Sequence, residues 1–243
     1  FIANKFAFGH KRLSIIDLHN RSNQPFQIGD DVIIFNGEIY NYLELAKDLQ
    51  SKSIKLTTNS DTEVLLNYFK LYGEKCVDYF EGMWSFAIFN LKNRKLFLSR
   101  DRFAEKPLYF CKTNEGFFFG SETKFIRSLS GIDFEINRKR INTFLSYGYK
   151  AVIKNRETYY KNINKVLNAE NFIIDHKLNI SIKKYWKPTI KEDKKITAKI
   201  ATDKIKELLI KTTKIRMRSD VPSAFCLSGG VDSGGLVSIA SKV

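Results

Sequence analysis

Phe35-Asn36-Gly37-Glu38-Ile39-Tyr40-Asn41 follows the apolar run Val32-Ile33-Ile34. Asn-Gly after such a run is a hairpin signal, and a plain turn is one reading of it. The residues beyond Gly37, however, favour helix and do not alternate as a returning strand does. A sharp Asn-Gly turn between strand and helix would aim the Asn36 amide and the Gly37 N–H at one point. Those are the parts of an oxyanion hole.

Upstream lies Gly9-His10-Lys11-Arg12-Leu13-Ser14-Ile15-Ile16-Asp17. An Arg near a strand is ordinarily a surface residue, yet it is also the side chain suited to a bidentate grip on a carboxylate. Downstream, residues 41–49 carry Leu45 and Leu49 four apart, with Asn41 and Glu44 spaced for a capping box. Ser60-Asp61-Thr62-Glu63 opens a second helix over 62–72, with Leu65, Tyr68, Phe69 and Tyr72 on one face and Gly73 as its stop. Ser60 and Asp61 fit a helix N-cap; an Asp held there can also accept from an ammonium group.

Strand-like runs at 32–35, 84–89, 95–99, 108–111 and 117–119 are separated by turn-rich pieces such as Asn90-Leu91-Lys92-Asn93, which reads as antiparallel hairpins. Helices near 122–129 and 138–146 and a hairpin over 171–175 and 180–186 complete the region. Strands adjacent in sequence with helices set apart predict an α+β layered domain. Composition then shifts to the charged stretch Lys187-Pro188-Thr189-Ile190-Lys191-Glu192-Asp193-Lys194-Lys195, a linker, with a domain boundary near residue 190. An amphipathic helix with Ala201, Ile205, Leu208, Leu209 and Ile215 on one face comes next. A buried strand over 223–227, a glycine-rich loop over 228–235 and a helix from Leu236 then open an α/β nucleotide-binding domain. In Leu227-Ser228-Gly229-Gly230-Val231-Asp232-Ser233, glycines admit a ligand close to the backbone, and successive N–H groups at a helix N-terminus suit phosphate. The loop lacks a Gly-Lys-Ser/Thr ending, so it is no Walker A loop.

The formal charge of +15 raises a nucleic-acid module as a rival class. The lysines are scattered in short clusters such as Lys183-Lys184, without a recognition helix, so a solvated surface is the better reading. Cys76, Cys111 and Cys226 are odd in number and far apart, which fits a reducing cytoplasm better than a disulfide framework. His10, His19 and His176 have no partner at metal-ligand spacing, so no metal site of the zinc type is expected. No uncharged apolar stretch reaches about 18 residues, the length of a membrane span. The opening Phe1-Ile2-Ala3 lacks an initiator Met and a signal peptide, and the last residues stop inside an amphipathic segment. The expectation is a chain cut at both ends.

The segments His-x-Arg-Leu-Ser-Ile, Phe-Asn-Gly-Glu-Ile-Tyr-Asn, Ser-Asp-Thr-Glu, Glu-Gly-Met-x-x-Phe-Ala-Ile, Ser-Arg-Asp-Arg, Lys-Pro-Leu-Tyr, Ser-Glu-x-Lys, Tyr-Trp, Ser-Asp-Val-Pro and Leu-Ser-Gly-Gly-Val-Asp-Ser run in this order along nearly the whole chain. Together they resemble the glutamine-hydrolysing asparagine synthetases. The Ser-Gly-Gly-Val-Asp-Ser loop by itself resembles the pyrophosphate loop of the ATP pyrophosphatases. The resemblance implies a class II glutamine amidotransferase domain over 1–190, an αββα sandwich of the N-terminal-nucleophile type. It implies the start of a synthetase domain over 191–243, in which ATP with Mg2+ activates aspartate and ammonia from glutamine displaces AMP. It further implies that Arg12 holds the glutamine carboxylate with the Leu13, Ser14, Ile15 and Ile16 backbone beside it. Asn36 and Gly37 would form the oxyanion hole, and Glu38 and Asp61 would bind the α-amino end. Leu227 would contact the adenine nucleotide, and Ser228, Gly229, Gly230, Asp232 and Ser233 its pyrophosphate.

The family nucleophile is an N-terminal Cys whose own amine is the base; no residue here aligns with it, so the chain by itself is expected not to hydrolyse glutamine. No nucleic acid or membrane is implied as a partner, and a homodimer is compatible. The family usually shows Gly where this chain has Ala104, a Pro-Gly-rich turn where it reads Val166-Leu167-Asn168-Ala169-Glu170, and a second Ser where it has Gly234. The turn at Ala104 is therefore expected to differ. These departures leave the acceptor open, so a relative that amidates a cell-surface sugar or a secondary metabolite is a second expectation, and the absent start keeps open a relative that has lost the glutaminase Cys.

Overall fold

A strand buried on both faces must be apolar at successive positions, and the chain meets that demand in its longest strands. The structure is a computed structural model that describes residues 1–3, 6–148, 155–193 and 195–243. Lys194 of the expected linker lies outside them. Six strands form the main sheet in the order β11-β10-β6-β5-β4-β3, every pair antiparallel. They are β3 (Phe26–Ile28), β4 (Asp31–Ile39), β5 (Gly82–Asn90), β6 (Lys95–Arg100), β10 (Glu170–Ile174) and β11 (Ile180–Lys184). A second sheet, ordered β8-β7-β9, joins β7 (Tyr109–Lys112), β8 (Phe117–Gly120) and β9 (Asn164–Lys165). β1 (Ile2–Ala3) and β2 (Phe6–Ala7) make a separate ribbon.

The period-2 alternation sorts the side chains into layers. Ile33, Phe35, Trp84, Phe86, Ile88 and Phe97 point to one face of the main sheet. There they meet Leu45 and Leu49 of α1 (Tyr42–Ser51) and Val64, Leu65 and Tyr68 of α2 (Asp61–Tyr72). Val32, Ala87, Leu96, Leu98 and Phe172 point to the other face, against Phe8, Leu108 and Phe110. Ile126 of α3 (Thr123–Ser130) then covers the far side of the small sheet with Cys111, Phe134 and Ile163. Helix, sheet, sheet, helix is the predicted four-layer sandwich. α4 (Arg138–Tyr147), α5 (Ala198–Arg216) and α6 (Val231–Ala240) complete the elements.

Five local expectations are corrected. The glycine-rich loop does not extend to Gly235, because α6 already begins at Val231 with Gly230 before it. Asn36-Gly37 is no turn: β4 runs straight through both to Ile39, paired along its length with β5. Asn41 does not cap α1, because its carboxamide donates to Tyr79 O at 2.9 Å and accepts from Glu81 N at 2.9 Å. Residues 223–227 form no strand; Phe225 and Leu227 are exposed, since a strand needs a neighbour for its ladder and none of the described residues supplies one. The turn at Ala104 does not depart from a glycine-type geometry, for Ala104 itself takes φ +59°. The apolar face of α5 is present as read, but Ile205, Leu208 and Leu209 are exposed.

Candidate active site

A cavity of about 1440 Å³ opens beside the outer edge of β4 and is lined by Arg12, Leu13, Ile15, Ile16, Asn36, Gly37, Glu38 and Asp61. Residues from three separate stretches of sequence thus meet in one place. Ser14 is the exception, since it does not line the cavity.

Strand alternation decides what the Gly37 N–H does. Trp84, its partner on β5, donates its N–H to Asp101 Oδ2 at 3.3 Å, and its carbonyl accepts from Asp101 N at 2.9 Å. Trp84 therefore spends its backbone groups away from β4, so Gly37 and Trp84 are a non-hydrogen-bonded pair and the Gly37 N–H points to the open edge. β3 covers that edge only as far as Ile33. Beyond it, Phe35 N donates to Gln24 Oε1 at 2.6 Å and Ile39 N to Asp61 Oδ2 at 3.1 Å. Gly37 is the donor between them. The Asn36 side chain adds a second donor, its amide resting on Ser121 Oγ at 3.2 Å. Only glycine fits here: at φ +156° an added Cβ would stand 2.1 Å from Met83 O and 2.8 Å from Trp84 Cα.

Arg12 grips its own loop. Its Nη2 donates to Ile16 O at 2.6 Å and Asp17 O at 2.7 Å, and its Nη1 to His19 O at 3.4 Å. The guanidinium is thereby fixed at the cavity wall, where a carboxylate can be met by the remaining N–H groups. Across the cavity Asp61 is buried, and burial raises its carboxyl to about 6. Burial also raises Glu38, with Lys106 acting in the opposite direction. Burial outweighs the pull of Lys106 on Glu38 and of Arg12 on Asp61, so a substrate ammonium placed between the two acidic groups would favour their charged forms. Ser60 N-caps α2, accepting from Thr62 N at 3.1 Å, as its sequence suggested.

Sequence reading missed three contributors. His10 lines the cavity with its Nδ1 buried and unpartnered among the described groups; burial, and then the nearby Arg12, lower its pKa. Gln24 holds the β4 edge through Phe35 N, and Ser121 orients Asn36. Both His10 and Ser121 lie within the quoted motifs, but only tertiary contacts give them a task. The described residues contain no cluster of three or more His, Cys, Asp or Glu able to hold a metal ion.

The second group of expected site residues stands at the start of α6. Gly229 takes φ +81°, Ser228 Oγ and Ser233 Oγ lie 2.9 Å apart, and Gly230 N reaches Ser228 Oγ at 3.4 Å. Asp232 occupies the first turn of the helix, and Leu227 is 63% exposed beside the loop. Two hydroxyls, a left-handed glycine and a helix N-terminus suit a polyphosphate. Asp232, in the first turn of α6, offers a carboxylate of the kind that shares a hard cation with phosphate, such a cation taking most of its ligands from phosphate and water.

Residues 1–186 match the family described as glutamine amidotransferase domain, and residues 204–243 match asparagine synthase. The chain is similar to asparagine synthetase [glutamine-hydrolyzing] 1 of Bacillus subtilis (strain 168), with 35% identity over 97% of this chain and 37% of that protein. It is similar to asparagine synthetase [glutamine-hydrolyzing] 3 of the same organism, with 32% identity over 96% and 38%. The chain thus spans less than two fifths of these relatives' length. Among solved structures, an allosteric regulatory enzyme of purine biosynthesis aligns with TM-score 0.51 and 17% identity, over 73% of this chain and 34% of that one. That likeness concerns fold.

Proposed function

The chain belongs to the glutamine amidotransferase domain family, and from that premise we propose that it carries the glutamine site and the start of the nucleotide site of a glutamine-hydrolysing asparagine synthetase. The observation that supports this most is the meeting of Arg12, Asn36, Gly37, Glu38 and Asp61 around one cavity. Glutamine presents a carboxylate, an ammonium and a carboxamide, and the cavity offers a cation, two carboxyls and a pair of N–H donors for them. Arg12 holds the carboxylate, Asp61 and Glu38 the ammonium. Asn36 Nδ2 and Gly37 N stabilise the oxygen as it gains charge.

The nucleophile in this reading is the N-terminal cysteine that the family uses. Cys76 and Cys111 do not fill that place, since both are buried and burial pushes their thiols up. The glutaminase domain extends over 1–190 and the synthetase domain begins at 191. There Ser228, Gly229, Gly230, Asp232 and Ser233 hold the pyrophosphate of ATP, with Leu227 against the nucleotide. When bound with Mg2+, ATP supplies the activation that makes the aspartate carboxyl reactive toward ammonia. The protein works in the cytoplasm.

The experiment separates the two sites in the intact protein. Arg12→Ala should weaken glutamine-dependent synthesis and spare synthesis from free ammonia. Asp232→Ala should abolish both syntheses and leave glutamine hydrolysis largely in place. Asparagine made from ammonia and ATP at the normal rate by Asp232→Ala would remove the nucleotide assignment. An unaltered KM for glutamine in Arg12→Ala would remove the other.

A further inference from the structure

The loop that supplies one wall of the glutamine cavity is held from the far end of the sequence. Asp17 N donates to Asp220 Oδ2 at 2.7 Å, and Asp220 N donates to Ile15 O at 2.9 Å, across 203 residues. Arg218, two residues earlier, donates to both carboxylate oxygens of Glu44 at 2.6 Å and to Tyr40 O at 2.6 Å. Arg216 lies over the Tyr40 ring, 4.7 Å from its centroid. Tyr40 directly follows β4, so this short segment grips both the Arg12 loop and the end of the strand that carries Asn36 and Gly37.

The grip falls where the loop resists its own conformation. Asp17 takes φ +52°, a left-handed geometry that costs a residue with a side chain and persists only when its surroundings enforce it. Its buried carboxylate accepts from Asn59 N at 2.8 Å and His19 N at 3.2 Å. Its carbonyl accepts from Arg12 Nη2, so the rotamer of Arg12 and the left-handed turn at Asp17 are set together. Asp220 takes up the N–H of this same residue.

We propose that Asp220, seconded by Arg218, is a positioning residue for the glutamine pocket: it holds the loop of Ile15, Ile16 and Asp17 in the shape that presents Arg12 to the substrate. The glutamine site is thereby completed by a segment seven residues ahead of Leu227, outside the stretch that matches the amidotransferase family. This rests on the reading of the cavity as a glutamine site.

Asp220 is exposed, so its replacement removes no core contact. In the intact protein, Asp220→Ala should raise the glutamine KM and the Kd from calorimetry about tenfold, the scale of one hydrogen bond to a charged group. The glutaminase kcat should stay within about twofold, since the oxyanion donors are untouched. Asp220→Asn keeps an oxygen that can accept from Asp17 N and should restore most of the affinity. Arg218→Gln should raise KM in the same sense by a smaller factor. Wild-type KM and Kd in both Asp220→Ala and Arg218→Gln would overturn the proposal. So would a fall in kcat that Asp220→Asn fails to rescue, because it would mark a general structural role. Wild-type protein that binds no glutamine would instead refute the underlying assignment of the cavity.

Discussion

The side-chain amide of Asn36 rests on the Ser121 hydroxyl at 3.2 Å, although 85 residues separate the two. β4 delivers Asn36 from the main sheet, and the turn between β8 and α3 delivers Ser121 from the small one. The hydroxyl keeps the amide directed into the cavity. Asn36→Ala should therefore lower glutaminase turnover on the order of 10²–10³-fold with little change in KM. Ser121→Ala should lower it by a smaller factor, because the donor survives and loses only its orienting partner. Steady-state kinetics on the intact protein checks both. Unchanged turnover in Asn36→Ala would make it a strand residue and nothing more.

Asp61 should set two opposite pH dependences. Its carboxyl is raised from 3.8 to about 6 by burial, with Glu38 adding to the rise and Arg12 opposing it. The folded state then binds more protons than the unfolded one between these values, so the folded protein loses stability as pH rises from about 4 to about 6. Asp61→Asn should abolish that loss and exceed the wild type above pH 6, by up to about 3 kcal/mol. In the proposed glutamine site the ionised carboxylate meets the ammonium, so wild-type affinity should fall as pH drops below about 6. The asparagine variant should bind glutamine poorly throughout. Denaturant titrations from pH 4 to 8, paired with calorimetry, would expose either failure.

Gly37→Ala should be severe for a reason unrelated to chemistry. The new methyl would meet Met83 O at 2.1 Å and Trp84 Cα at 2.8 Å, backbone atoms of β5 that cannot move singly. The expected loss is about 3 kcal/mol or more, at or above the upper end of the range for overpacking. Urea unfolding measures it, and a loss under about 1 kcal/mol would contradict the close approach of β4 and β5.

Ala104→Gly should stabilise the protein. Ala104 takes φ +59°, a conformation that costs a side-chain-bearing residue about 1–2 kcal/mol and glycine almost nothing. The greater freedom of glycine in the unfolded chain takes back about 0.5–1 kcal/mol, leaving a gain of up to about 1.5 kcal/mol. Ala169 takes φ +56° as well, but its methyl is fully buried. Removing it forfeits about 0.8 kcal/mol, so Ala169→Gly should be near neutral. Melting temperatures of the two variants should differ in that order.

Much of the architecture was legible along the chain because it rests on short-range pattern. The apolar runs of β5 and β6, the turn at Asn90 to Asn93, and the Ser60 cap and Gly73 stop of α2 are local choices that neighbours within a few residues decide. Residue type within short motifs likewise marked Arg12, Asn36 and Asp61, while Glu38 was named only through the family resemblance. What the sequence by itself could not determine is how the backbone passes through Asn36-Gly37, where pairing with β5 overrides a turn preference. Nor could it show that Ser121 aims Asn36, that Asp101 turns Trp84 away so that the Gly37 N–H is presented outward, or that Asp220 holds Asp17. Each of these joins residues far apart in the chain. A hydrogen bond becomes favourable at such a separation only once the packed layers have already brought its two ends together, so only the tertiary structure decides it.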